Sequence, residues 1–224
     1  MPTQCVHCGS VGPLTSDHVP PRGLYASPRP SNLITVPSCK ACNQSASKDD
    51  EYLRTVLTLK AGAGSHPDAR VAAKASIRAL QRSQGVRFAR TFLRTVSAVV
   101  VTTPSGIMLG RALGYTVEFE RLGRVVSRIV RGLYWHHEGQ IVPSGHNVGA
   151  IFEDTLKEMP STERQDLLSK CVDPLRNTPM HSTPREVLRY RYQIAPGAAP
   201  VSAWLLEFYE DVRCLALLVP DPPQ

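Results

Sequence analysis

The sequence predicts an α+β fold in two parts: a small cysteine-paired unit over residues 1–59, and a domain of mixed helices and antiparallel sheet over residues 70–224. Three observations predict it. Two Cys-x-x-Cys pairs, Cys5/Cys8 and Cys39/Cys42, bracket the N-terminal segment. Residues 60–69, KAGAGSHPDA, interrupt the patterned sequence and read as a linker. Beyond them, helical spacing alternates with short β-rich runs.

The elements follow in order. Residues 5–9 read as a knuckle, a short apolar stretch leads to Thr15-Ser16-Asp17-His18, and residues 20–30 form a proline-rich loop. Residues 31–36, SNLITV, read as a short strand, and residues 39–59 as helix with Tyr52, Leu53, Val56, Leu57 and Leu59 at helical spacing. Over residues 70–96 the helical pattern returns, broken at Gly85, with Arg82, Arg87, Arg90 and Arg94 giving it a basic face. Residues 99–101 and 107–109 flank the Pro104-Ser105-Gly106 turn as a hairpin. Residues 115–120 alternate as a strand, and 122–134 read as a helix carrying Arg124, Arg128 and Arg131. Residues 162–171 read as a short helix, and 186–194, 201–209 and 212–219 as three strands.

Composition bounds the function. Lys and Arg outnumber Asp and Glu 26 to 19, for a net charge of +7. A basic surface draws polyanions, and Arg, the commoner cation here, suits bidentate phosphate contacts. No apolar run approaches the roughly 20 residues of a membrane span. No basic stretch followed by an apolar one opens the chain, so the expected compartment is the cytoplasm, with no membrane partner.

In that compartment paired Cys-x-x-Cys spacing reads as metal before disulfide. Zinc takes four ligands in a tetrahedron, and two knuckles supply Cys5, Cys8, Cys39 and Cys42 for one structural Zn2+. Such a staple holds a unit too small to be held by its core alone. His7, inside the first knuckle, is expected on an exposed turn as a non-ligand. The isolated Cys171 and Cys214 read as small buried hydrophobes.

Between and after the knuckles come Asp17-His18, Asn32-Leu33, Asn43 directly behind Cys42, and Lys48. This order resembles the HNH, or ββα-metal, endonuclease family, in the branch whose last motif residue is Asn. The resemblance covers residues 5–58, so the first unit is expected to be a zinc-stabilised ββα-metal module. It implies that Asp17 and Asn43 hold one catalytic divalent metal, Mg2+ or Mn2+. It further implies that His18 is the general base and that Asn32 ties the loop carrying it. Arg22 and Lys48 are candidate nucleic-acid contacts. The partner implied is nucleic acid, DNA ahead of RNA. Modules of this family cut one strand each, so a homodimer would be needed for a double-strand break in one event.

Other readings of the same residues stand beside these. Asp17 alone fits a turn residue, Asn43 a helix N-cap, and Lys48 and Arg22 solvated charges. The alternative for the whole unit is a zinc ribbon that binds nucleic acid without cutting it. His136, His137, Glu138 and His146 suggest a second metal site, but a polar turn after the helix is the simpler reading. The C-terminal domain, with its arginine-bearing helices, is expected to choose the substrate or to dimerise.

Overall fold

The computed structural model describes residues 4–60, 65–81, 85–103, 105–197 and 200–222. It begins with a hairpin and a helix. β1 (Leu14–His18) pairs antiparallel with β2 (Thr35–Cys39), placing Asp17 opposite Val36 and His18 opposite Thr35. The strand expected over 31–36 therefore starts later, because Ser31 and Asn32 form a turn. β1 itself was not anticipated: LTSDH contains few β-formers, and its partner strand imposes the conformation.

The single helix expected over 39–59 is two, α1 (Lys40–Ser45) and α2 (Ser47–Leu59). They divide at Ala46, where Ser45 and Ser47 hydroxyls donate to the Cys42 and Gln44 carbonyls and compete with the helical ladder. α3 (Pro67–Gln81) and α4 (Val86–Leu93) follow, with Gly85 at the start of α4 as the sequence implied. Residues 61–64 of the expected linker, and Arg82, lie outside the described residues.

β3 (Val96–Thr102) and β4 (Met108–Tyr115) form an antiparallel hairpin longer than expected. The strand expected over 115–120 does not form. β4 ends at Tyr115 and α5 (Phe119–Glu138) begins four residues on. Two tyrosines pin that corner: the Tyr115 hydroxyl donates to the Val56 carbonyl at 2.9 Å, and the Tyr52 hydroxyl accepts the Glu118 N–H at 2.7 Å. α5 runs past Tyr134 to Glu138 and is closed by Gly139 at φ 68°, whose N–H donates to the Trp135 carbonyl. His136 and His137 thus lie on its last turn and not in a polar loop.

β5 (His146–Phe152) and α6 (Glu153–Glu158) were not anticipated. α7 (Ser161–Leu167) continues as a π-helical turn over Leu168–Val172. β6 (His181–Ser182), β7 (Leu188–Ile194), β8 (Ser202–Phe208) and β9 (Val212–Pro220) complete an antiparallel sheet of order β5-β9-β8-β7-β6. The architecture is α+β with antiparallel sheets.

α5 is the central beam. Its buried positions Leu122, Val125, Val126, Ile129, Val130 and Leu133 recur at helical spacing. One buried cluster runs from Val6, Val19, Leu24 and Val36 of the N-terminal unit through these α5 residues to Trp204, Leu206, Phe208 and Leu218 of the sheet. The two ends of the chain therefore share a core. The Tyr209 hydroxyl, fully buried, donates to the Leu24 carbonyl at 2.7 Å and ties the sheet to the loop after β1. Gly132 allows the close approach: a Cβ there would lie 2.5 Å from Val19 Cγ2. Replacing Gly132 by Leu adds roughly 0.8 kcal/mol of helix propensity but overpacks this contact by more. The expected net loss is about 2 kcal/mol, read as a lower urea midpoint; an unchanged midpoint would contradict the close packing.

Candidate metal centre and the adjoining acidic cavity

The four cysteines converge. The hairpin brings Cys39, at the end of β2, opposite Leu14, and the N-terminal knuckle lies against it through the Val6 N–H to Pro37 carbonyl bond. The sulfurs of Cys5, Cys8, Cys39 and Cys42 all lie within 4.8 Å of one another, and Cys8 Sγ is 3.8 Å from Cys39 Sγ. Zinc–sulfur bonds of about 2.3 Å in a tetrahedron put the sulfurs about 3.8 Å apart, so the four thiols could bind one zinc ion. Cys39 caps α1, its Sγ accepting the Cys42 N–H at 3.4 Å, and that bond holds its thiol down to about 6. A thiol so depressed is readily the thiolate a metal requires. Among the described residues this is the one cluster of three or more cysteine, histidine and acidic ligands that could hold an ion.

Beside the cysteines lies a cavity of about 290 Å³ lined by Ser16, Asp17, His18, Pro21, Arg22, Gly23, Asn43, Ser47 and Asp50. β1 supplies Asp17 and His18, α1 supplies Asn43, and the first turn of α2 supplies Asp50. Asn43 follows Cys42, so the sulfur cluster and the cavity are joined by one peptide bond. Its amide nitrogen donates to Thr15 Oγ1 at 3.0 Å and to the Ser16 carbonyl at 3.3 Å. With both N–H groups spent on β1, Oδ1 is the atom it has left to offer.

Asp17 is buried and accepts three hydrogen bonds. Oδ1 takes the His18 N–H at 2.9 Å, while Oδ2 takes His7 Nε2 at 3.0 Å and Arg128 Nη2 at 2.5 Å. Burial works to raise its pKa, but the His7 bond and the Arg128 charge outweigh burial and hold it below the usual carboxylate range. Arg128 also donates to Asp50 Oδ1 at 2.9 Å, yet burial still pushes Asp50 up to about 6. The His18 ring, half-buried in the wall, makes no side-chain hydrogen bond among the described residues. Burial and the Arg22 charge lower its pKa against the pull of Asp17, so the imidazole is neutral near pH 7.

The structure thus brings Asp17, His18, Asn43 and Arg22 together and leaves two expected residues out. Asn32 is exposed in the turn before β2 and makes no side-chain hydrogen bond among the described residues. The backbone does the work assigned to it: the β1–β2 ladder and the Val19 N–H to Ile34 carbonyl bond hold the His18 segment. Lys48 is exposed on α2 and does not line the cavity. His7 does not sit on an exposed turn as expected: its side chain is 5% exposed, against Asp17.

Sequence reasoning missed Asp50 and Arg128. α5 presents Arg121, Arg124 and Arg128 to the N-terminal unit, where Asp49 accepts from the first two at 2.8 Å and Asp50 and Asp17 from the third. Arg131 donates to the His146 carbonyl. Arg121 and Arg128 are thus engaged in docking, while Arg124, also bonded to Asp49, keeps its side chain 57% exposed. Arg87, Arg90 and Arg94 remain exposed.

His137 packs on Tyr190, Tyr192, His181 and Trp204 and bonds the Tyr190 hydroxyl at 2.9 Å, an aromatic core contact. Cys214 is buried as expected, and Cys171 only half so. No helix among the described residues is long and apolar enough to cross a membrane. Compared with protein-family models, curated proteins and solved structures, the chain matches none.

Metal loading is directly measurable. The purified chain is expected to hold one zinc, and Cys39→Ser to lose it. The melting temperature should then fall by on the order of 5 °C or more, because binding energy of this kind is folding energy. Equal melting with and without zinc would contradict a structural site.

Proposed function

We propose that this chain is a metal-dependent endonuclease that hydrolyses phosphodiester bonds, with DNA as its first substrate. One observation carries the reading. Asp17, His18 and Asn43, named from the sequence as metal ligands and base, line one cavity directly behind the cysteine cluster. Their chemistry fits the task. Two side-chain oxygens suit a hard cation such as Mg2+ or Mn2+, and the anchored amide of Asn43 turns its oxygen free.

Each residue then has a job. His18, neutral near pH 7, takes a proton from the attacking water. Arg22, exposed at the cavity wall, offers its guanidinium to the phosphate, and Lys48 to a neighbouring one. A structural zinc held by Cys39 and Cys42 would fix Asn43 through the backbone. Asp17 and Asn43 would hold the divalent ion, whose chemistry when bound is to stabilise negative charge on the phosphate and the leaving oxygen.

The competing reading is a zinc-stapled module that binds nucleic acid without cutting, and the bonds already satisfied at Asp17 favour it to that extent. Supercoiled plasmid with Mg2+ or Mn2+ separates the two. Wild type should nick or linearise it, and EDTA should stop the reaction. His18→Ala should slow it on the order of a hundredfold or more. If both proteins are inert on DNA and RNA yet retard either in a gel, the binding module is the right description.

A further inference from the structure

We infer that Arg128 sets the charge of the cavity, acting as the internal cation that a divalent ion bound at Asp17 must work against. The inference rests on the proposed nuclease reading and names a residue outside the N-terminal unit as the one that tunes its metal site.

The geometry supports this in three steps. First, the Arg128 guanidinium bridges both cavity carboxylates, Nη2 to Asp17 Oδ2 at 2.5 Å and Nη1 to Asp50 Oδ1 at 2.9 Å. Behind the cavity wall, two carboxylates and one mostly buried guanidinium leave one net negative charge, where the acids alone would leave two; Arg22, which also lines the cavity, is exposed and screened by solvent. Arg128 is not a solvated surface ion: its side chain is 18% exposed. Screening by salt is therefore weak, and a cation on Asp17 feels the guanidinium at close range.

Second, Asp17 does not need Arg128 to stay oriented. Without it, Oδ1 keeps the His18 N–H and Oδ2 keeps His7. Losing the arginine thus removes positive charge while sparing ligand geometry, and it frees Asp50, which already lines the cavity, to serve as a third oxygen ligand. Third, α5 stays docked without Arg128. Arg121 and Arg124 still hold Asp49 at 2.8 Å, and the buried face of α5 is untouched.

The same charge balance has a functional sense. A polyanion approaching two uncompensated acids would be repelled, whereas Arg128 neutralises one of them at the cost of weaker, more exchangeable metal binding.

The test is a Mn2+ titration of the full-length, zinc-loaded chain, reading free Mn2+ by electron paramagnetic resonance, with plasmid cleavage by wild type measured alongside. Arg128→Gln should bind Mn2+ about tenfold tighter than wild type, and Arg128→Lys, which keeps the charge, within about threefold of it. Adding Asp17→Asn should abolish this binding in either background. Unchanged or weaker binding by Arg128→Gln overturns the inference. Should Arg128→Gln fail to fold, Asp50→Asn gives the converse: with Arg128 kept and one negative charge lost, Mn2+ binding should weaken about threefold or more. No weakening would overturn the inference equally. If wild type cleaves and binds Mn2+ through Asp17 but the charge variants leave affinity unmoved, only this inference fails. If no variant binds Mn2+ through Asp17 and wild type does not cleave, the nuclease reading fails with it.

Discussion

The Asp17 carboxylate is where the structure is tied together. A knuckle histidine, its own strand and a helix more than a hundred residues away all donate to it, and it stays ionised although buried. A buried carboxylate without such partners would take up a proton or be expelled to solvent. The Arg128 bond joins β1 to α5 one helical turn before Gly132, where Val19 packs closely, and Arg121 and Arg124 on Asp49 hold the same seam. The ion pairs of Asp49 and Asp50 extend the seam along α5.

This explains why the N-terminal unit is not built as a free-standing module. Its cysteine cluster holds one end, but its apolar residues Val6, Val19, Leu24 and Val36 finish their burial against α5 and the loops of the sheet. A small hairpin with one short helix pair has little interior of its own. The five-stranded sheet and α5 back the N-terminal unit, whose own residues line the cavity.

The local part of this was legible in the sequence. The cysteine spacing marks the thiol cluster, the helical periodicity of α5 marks the beam, and β7, β8 and β9 show as runs of apolar and aromatic residues. Asp17, His18 and Asn43 could be named because the motif resemblance that implies their roles is carried by a short stretch between and beside the cysteines. Arg128 could not: its partners lie 111 and 78 residues away, and nothing in a helix sequence distinguishes an arginine aimed at a buried acid from a solvated one. Asp50 likewise reads as an acidic residue in a helix's first turn. The strand expected over 115–120 gave way to a corner, because Tyr115 and Tyr52 pin the chain at Val56 and Glu118 and α5 starts at Phe119. Asn32 was assigned a bond that the backbone ladder makes instead.

The most direct test of the account is the chemistry of the cut itself. A short labelled DNA duplex is incubated with the zinc-loaded chain and Mn2+ in oxygen-18-enriched water, and the product ends are weighed by mass spectrometry. Hydrolysis by water activated at His18 predicts the heavy oxygen on the new 5′-phosphate, opposite a 3′-hydroxyl, and neither end with Asp17→Asn. An uncut duplex and an uncut RNA under the same conditions, with zinc fully loaded, would contradict the account.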